Sequence, residues 1–243
     1  MLGADPLHTL LGGEPFPVGR PDFKSGWGCL TVLGGFDSRS LPPPITDEPL
    51  VTLSNPVLDA IRARKHMGAL MLDVPGPSPQ QCDAILEAGA AAPDHGRLVP
   101  FRFVLVPDRA RQAFVVASLA AFKEAVPEAD EFGLKKARGK AEQPPTIVAL
   151  IACVDARHPK IVASDQWLTI GCALQNLWLA AESLGFACGV SSGRLLETPV
   201  MRRAFKLQDH EQLVSIVSIG TPKERQSPRP KPALADVVGS FDG

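Results

Sequence analysis

Thr146 to Cys153 is an unbroken apolar run that begins directly after Pro144-Pro145. Its length is that of a strand, and its β-branched residues favour extended backbone. A strand without polar alternation is covered on both faces, so the chain has to place structure on each side of it. Ser164 to Gly185 supplies part of that cover. It reads as a helix that is apolar on most sides, and such a helix is buried, often against a second subunit. Around these two features lie three capped helix starts, at Asn55-Pro56, Ser78-Pro79 and Thr198-Pro199. The second helix is expected to turn Ile85, Leu86 and Ala88 inward. Phe101 to Val106 and Ala187 to Ser191 read as strands, and so does Leu213 to Ile219, closed by Gly220-Thr221-Pro222. Asp108 to about Ala125 and the basic stretch Gly133 to Lys140 read as helices. Helices and strands interleave along the chain, which predicts an α+β or α/β fold.

Residues 1–54 differ from the rest. Met1 to Leu53 hold eight Gly and eight Pro, including Pro42-Pro43-Pro44, and show no helical period. The expectation is an irregular N-terminal extension, with one folded domain over residues 55–243 and an extended, proline-rich tail.

Composition removes several classes of function. A net charge of −1 gives no global positive field for nucleic acid. No apolar run reaches a membrane span, and no leader pattern is read at the N-terminus. The five cysteines are odd in number and form no C-x-x-C pair, so reduced thiols in the cytoplasm are expected. Tyrosine is absent, which excludes a tyrosine acid. There is no dinucleotide-fold glycine fingerprint, no phosphate-binding loop, no nucleophile elbow and no histidine spacing suited to a metal. If the chain is an enzyme, a bound cofactor carries the chemistry.

Three local patterns remain. Arg62, Arg64, Lys65 and His66 cluster at the end of the first helix, where cations offset the helix dipole or clamp a phosphate. Ala92-Pro93-Asp94-His95-Gly96 joins a helix to a strand and has the composition of a turn. Leu184-Gly185-Phe186-Ala187-Cys188-Gly189-Val190-Ser191-Ser192-Gly193 ends the long helix and exits the next strand, with Gly185 in the position of a helix cap.

Taken in this order, the patterns resemble the nitroreductase family in its YdjA-like branch, over about Leu58 to Ile219. The resemblance implies a three-layer α+β sandwich, a mainly antiparallel sheet flanked by helices, forming a homodimer that shares two FMN sites. It places Arg64, Lys65 and His66 on the FMN phosphate and ribityl chain, and His95 at a flavin-contacting position. Val190, Ser191 and Ser192 fall on the ring side or on the partner's flavin. Arg229 or Lys231 completes the phosphate site. Ala180, Ala181, Glu182, Ser183, Leu184 and Gly185 align with the segment associated with NADH or NADPH. No residue of the chain is implied as acid, base or metal ligand. The implied activity is ping-pong hydride transfer from NAD(P)H through the flavin to a nitroaromatic, a quinone or a similar small acceptor, with a non-enzymatic flavin-storage protein as the alternative. The chain departs from the family pattern at Lys65 and His66, at Val99, at Phe101 where Trp is usual, and at Ser191 where the branch has Arg.

Overall fold

The computed structural model describes residues 55–224 and 230–241. The extension 1–54, Cys29 and Arg229 lie outside them. Six α-helices are described: α1 (Pro56–Ala63), α2 (Pro79–Ala90), α3 (Arg111–Ala125), α4 (Glu131–Glu142), α5 (Ala163–Ser183) and α6 (Pro199–Ala204). Five strands accompany them: β1 (Leu72–Asp73), β2 (Phe101–Leu105), β3 (Thr146–Ala152), β4 (Ala187–Ser191) and β5 (Gln212–Pro222).

The expected caps form. The Asn55 side chain accepts from Val57 N at 2.9 Å, and Ser78 with Gln81 makes a reciprocal capping box at the head of α2. Thr198 Oγ1 accepts from Met201 N at the start of α6. At the far end of α5, Gly185 takes φ +89°. There Gly185 N donates to Glu182 O and Phe186 N to Ala181 O, the pair of bonds that stops a helix on a left-handed glycine.

Every residue of β3 is buried. Successive side chains of a strand point to opposite faces, so β3 feeds two cores. Ile147, Ala149 and Ile151 pack with Phe114 and Val115 of α3, Ala141 of α4 and Met201 of α6. Val148 meets Ile85 of α2 and Leu177 and Ala181 of α5, while Leu150 and Ala152 meet Ile170 and Ala173 of α5. Helices therefore cover both faces, as the apolar run requires. Within α5, Ile170, Ala173, Leu177 and Ala181 recur at helical spacing and are buried. The opposite side is not covered by the described residues: Trp167 is 40% exposed and Leu168 70%.

The named strands all pair antiparallel; β2 pairs β3, and the spine of the rest is β5. It pairs β3 along one edge from Gln212 to Ile219, β4 along the other from Ile216 to Gly220, and β1 at its end. The register to β3 slips where Leu150 faces Ser215 and Ile151 faces Leu213. Val214 is the extra residue, a bulge that changes which side chains of β5 face which core. Beside it, Glu211 fastens the sheet to β2. Its 7% exposed carboxylate accepts from Arg102 Nε at 2.7 Å and Nη2 at 2.9 Å, and from Gln208 N at 2.9 Å. The Arg102 hydrogen bonds hold the Glu211 carboxyl down at about 2. Burial first, and the Glu211 hydrogen bond after it, push the neighbouring Cys153 thiol up to about 11.

Candidate functional site

The cationic cluster after α1 is held against β4. Met67 N donates to Cys188 O at 2.8 Å, His66 and Cys188 form a parallel bridge, and Val190 N donates to His66 Nδ1 at 3.3 Å. Close approach here depends on Gly189, because a Cβ at that position would overlap the Met67 carbonyl oxygen. The structure thus brings Arg64, Lys65 and His66 to the strand that carries Val190 and Ser191, with Ser192 just beyond it, although more than 120 residues separate the two groups.

Two side chains of α5 orient this segment. The Arg64 guanidinium lies 4.6 Å from the centre of the Trp178 ring, and the His66 ring meets the same indole edge-on at 6.0 Å. Glu182 Oε1 accepts from Trp178 Nε1 at 3.0 Å and from Lys65 N at 3.1 Å. Trp178 went unread in the sequence, where it passes for one more apolar residue of a buried helix. Its only local signal is the spacing of four to Glu182.

The tail returns to the same place. Lys231 Nζ donates to Arg62 O at 2.7 Å and to Ile61 O at 3.3 Å, the last carbonyls of α1. Lys231 therefore joins Arg64 and Lys65 at one end of α1. Arg229 is outside the described residues.

Of two further expected pieces, His95 falls elsewhere within the chain, while Ala180 to Gly185 borders the clamp through Glu182. His95 sits in a short 3-10 turn after α2, with Nδ1 3.0 Å from Asp165 Oδ2 in the first turn of α5. Asp165 and Trp178 are separated along that helix by roughly 20 Å at 1.5 Å per residue. His95 and the Arg64 platform thus lie towards opposite ends of α5. The segment Ala180 to Gly185 is the helix stop described above. Ala181 is fully buried, Glu182 is committed to Lys65 and Trp178, and Ser183, Leu184 and Gly185 face solvent.

Ser191 and Ser192 have a second neighbour. They line a cavity of about 510 Å³ beneath α3 and α4, together with Lys136, Lys140 and Arg194. The lysines of α4 read as a solvated helix face in the sequence, since nothing local to α4 reports what lies across from it. Among the described residues, no group of His, Cys, Asp or Glu is arranged to hold a metal ion, and no helix is long and apolar enough to cross a membrane.

Comparison with known proteins agrees with this architecture. The sequence pattern of the nitroreductase family matches residues 72–221. The Escherichia coli protein named "Putative NAD(P)H nitroreductase YdjA" is 31% identical over 160 residues, covering 65% of this chain and 85% of that protein. Among solved structures, a nitroreductase-like family protein from Bacillus cereus aligns with a TM-score of 0.66 at 18% identity, over 80% of this chain and 100% of the other. A nitroreductase-type protein of Desulfovibrio desulfuricans, solved in complex with FMN, aligns with a TM-score of 0.59 at 22% identity, over 77% and 98%. The fold is that of the nitroreductase-like α+β sandwich. The chain belongs to the nitroreductase family.

Proposed function

We propose that this protein is an FMN-dependent NAD(P)H oxidoreductase that works as a homodimer and reduces a nitroaromatic, a quinone or a similar small acceptor by a ping-pong cycle. The observation that carries this reading is the strip in which Arg64, Lys65 and His66 lie against Val190 of β4. The residues suit FMN. Arg64, Lys65 and Lys231 gather cations for a phosphate, and Gly68 and Gly193 leave open space where a Cβ would stand. FMN, when bound, supplies the redox chemistry between nucleotide and acceptor. Arg64, held over the Trp178 ring, would present its guanidinium to the phosphate. Backbone N–H groups beyond Val190 would supply positive potential where an anionic reduced ring needs it. The catalytic unit is residues 55–243, with 1–54 as an appended extension, and its place is the cytoplasm. The unpaired Cys82, Cys153, Cys172 and Cys188 support that setting.

Substitution of Arg64 by alanine tests the clamp. Losing charge-assisted contacts of about 1.5–3 kcal/mol raises the FMN dissociation constant roughly 10- to 100-fold. Full FMN loading of the variant with unchanged dissociation would remove Arg64 from the site. The purified wild-type protein is expected to be yellow and to bleach anaerobically with NADH or NADPH. Flavin absorbance that persists with both nucleotides would replace the reductase by a flavin-storage protein.

The dimer rests on two observations. Trp167 and Leu168 of α5 and Val57, Leu58 and Ile61 of α1 are apolar and exposed, and α1 buries no residue. His95 lies far from Arg64 in one chain, so a second copy is what brings a His95 to the clamp. Light scattering at micromolar concentration should give twice the chain mass, and a stable monomer there would overturn the shared-site arrangement.

A further inference from the structure

The cavity beside Ser191 and Ser192 has a marked division of character. Its walls are mostly apolar, with Phe114 and Phe122 of α3, Val126, Leu195 and Met201, and four serines among the rest. Its charges are all of one sign. Lys136, Lys140 and Arg194 line it, and no Asp or Glu does. The two lysines stand four apart on the face of α4 that also turns Gly133 and Ala137 to the cavity. Among the described residues, none of these three cations has a hydrogen bond or an ion pair from its side chain. Arg138 on the same helix does pair, with Glu142 at 3.0 Å. Lys136 and Lys140 thus face the cavity without a counter-charge, and Lys135, on the solvent side of the same helix, has none either.

A volume of about 510 Å³ falls in the range of small-molecule sites and holds a substituted ring. Apolar walls take the body of such a ring, and unpaired cations at the rim take an anionic substituent. We propose that this cavity is the electron-acceptor subsite, and that it selects planar organic anions, such as ring carboxylates, over their neutral analogues. This rests on the flavin reductase reading for the identity of the bound molecule as acceptor. For a nitro acceptor, NAD(P)H gives up a hydride and solvent a proton. R–NO2 becomes R–NO, and water and NAD(P)+ are released. The 2′-phosphate of NADPH is a less suitable occupant, because its ribose would leave five apolar side chains without a partner.

The test compares 4-nitrobenzoate with methyl 4-nitrobenzoate, which share ring and nitro group and differ in charge. The measured quantity is the ratio of their kcat/KM values on the flavin-loaded protein, so intrinsic reactivity cancels between variants. Lys136→Glu reverses one rim charge on an exposed helix position. It is expected to lower the benzoate-to-ester ratio about tenfold, the effect of two charge units at cavity distance in a partly aqueous medium. Raising salt should lower the wild-type ratio in the same direction. Lys160→Glu, exposed and outside the cavity, should leave the ratio unchanged. An unchanged ratio in Lys136→Glu, an equal fall in Lys160→Glu, or an effect confined to the KM for NADPH would each overturn the proposal.

A second readout separates this inference from the reading beneath it. Fluorine NMR should show 4-fluorobenzoate binding the wild-type protein more tightly than 4-fluorobenzamide, and losing that advantage in Lys136→Glu. That result, in a protein that NAD(P)H cannot reduce, would keep the anion selectivity of the cavity and discard the reductase. Bleaching by NAD(P)H with equal binding of acid and amide would keep the reductase and discard the selectivity.

Discussion

Gly189→Ala is expected to cost about 2–4 kcal/mol of stability and to empty the cofactor site in the same step. The new methyl group would stand on the Met67 carbonyl, which is backbone and cannot turn aside as a side chain would. Relief requires the Arg64–Gly68 segment to lift from β4, breaking the bonds from Met67 N to Cys188 O and from Val190 N to His66 Nδ1. Overpacking contributes about 1–3 kcal/mol and each lost hydrogen bond about 0.5–1.5 kcal/mol. In a domain of this size that is a fall of roughly 5–15 °C in Tm. For the melting temperature Gly68→Ala is the matched control, because a Cβ there meets no protein atom within 4 Å. A Gly189→Ala protein that melts with wild type and keeps its flavin would show that the segment does not need its contact with β4.

Glu211→Gln is expected to destabilise the fold by about 2–3 kcal/mol at neutral pH. Removing one partner of a buried ion pair costs about 3–5 kcal/mol, and the partly exposed Arg102 recovers some hydration. The pH dependence has a definite sign. The Glu211 carboxyl lies at about 2 in the folded chain, below its ordinary value of 4.5. Its contribution is therefore complete above pH 4.5 and fades as pH falls towards 2. Denaturant midpoints of wild type and variant should differ at pH 7 and converge in acid. A difference that stayed constant down to pH 2 would mean that the effect is one of packing and not of charge.

Much of the fold was legible because its signals are local. The run at β3, the period of α5 and the caps at Asn55, Ser78 and Thr198 each act within a few residues. Hence α5 was expected from Ser164 and begins at Ala163, and β4 was expected over Ala187–Ser191 and occupies those residues. The two-residue β1 and the bulge at Val214 carry no such signal, since each exists only through its partner strand. The same division holds in the site. Arg64 to His66 and Val190 to Ser192 were named from the family resemblance, and the structure joins them. Trp178 and Arg194 were not named, and Lys136 and Lys140 were read as a solvated helix face in preference to a 2′-phosphate site, because their roles depend on what faces them across the fold. The pair Arg102–Glu211, separated by 109 residues, was unreadable for that reason too.

The position of β5 has a consequence for the chain as it is made. β3 is complete at Ala152, but the strand that covers its second edge is not complete until Pro222. At about 5–20 residues per second, residues 153–222 occupy the ribosome for roughly 4–14 s. Throughout that interval the most apolar strand of the protein has an open edge, the kind of surface that recruits strands of other chains. Closure of the sheet is thus a late event of biosynthesis, and β4 waits on the same partner. Growing chains of this protein depend on the delay being short, or on a chaperone holding that edge until β5 emerges.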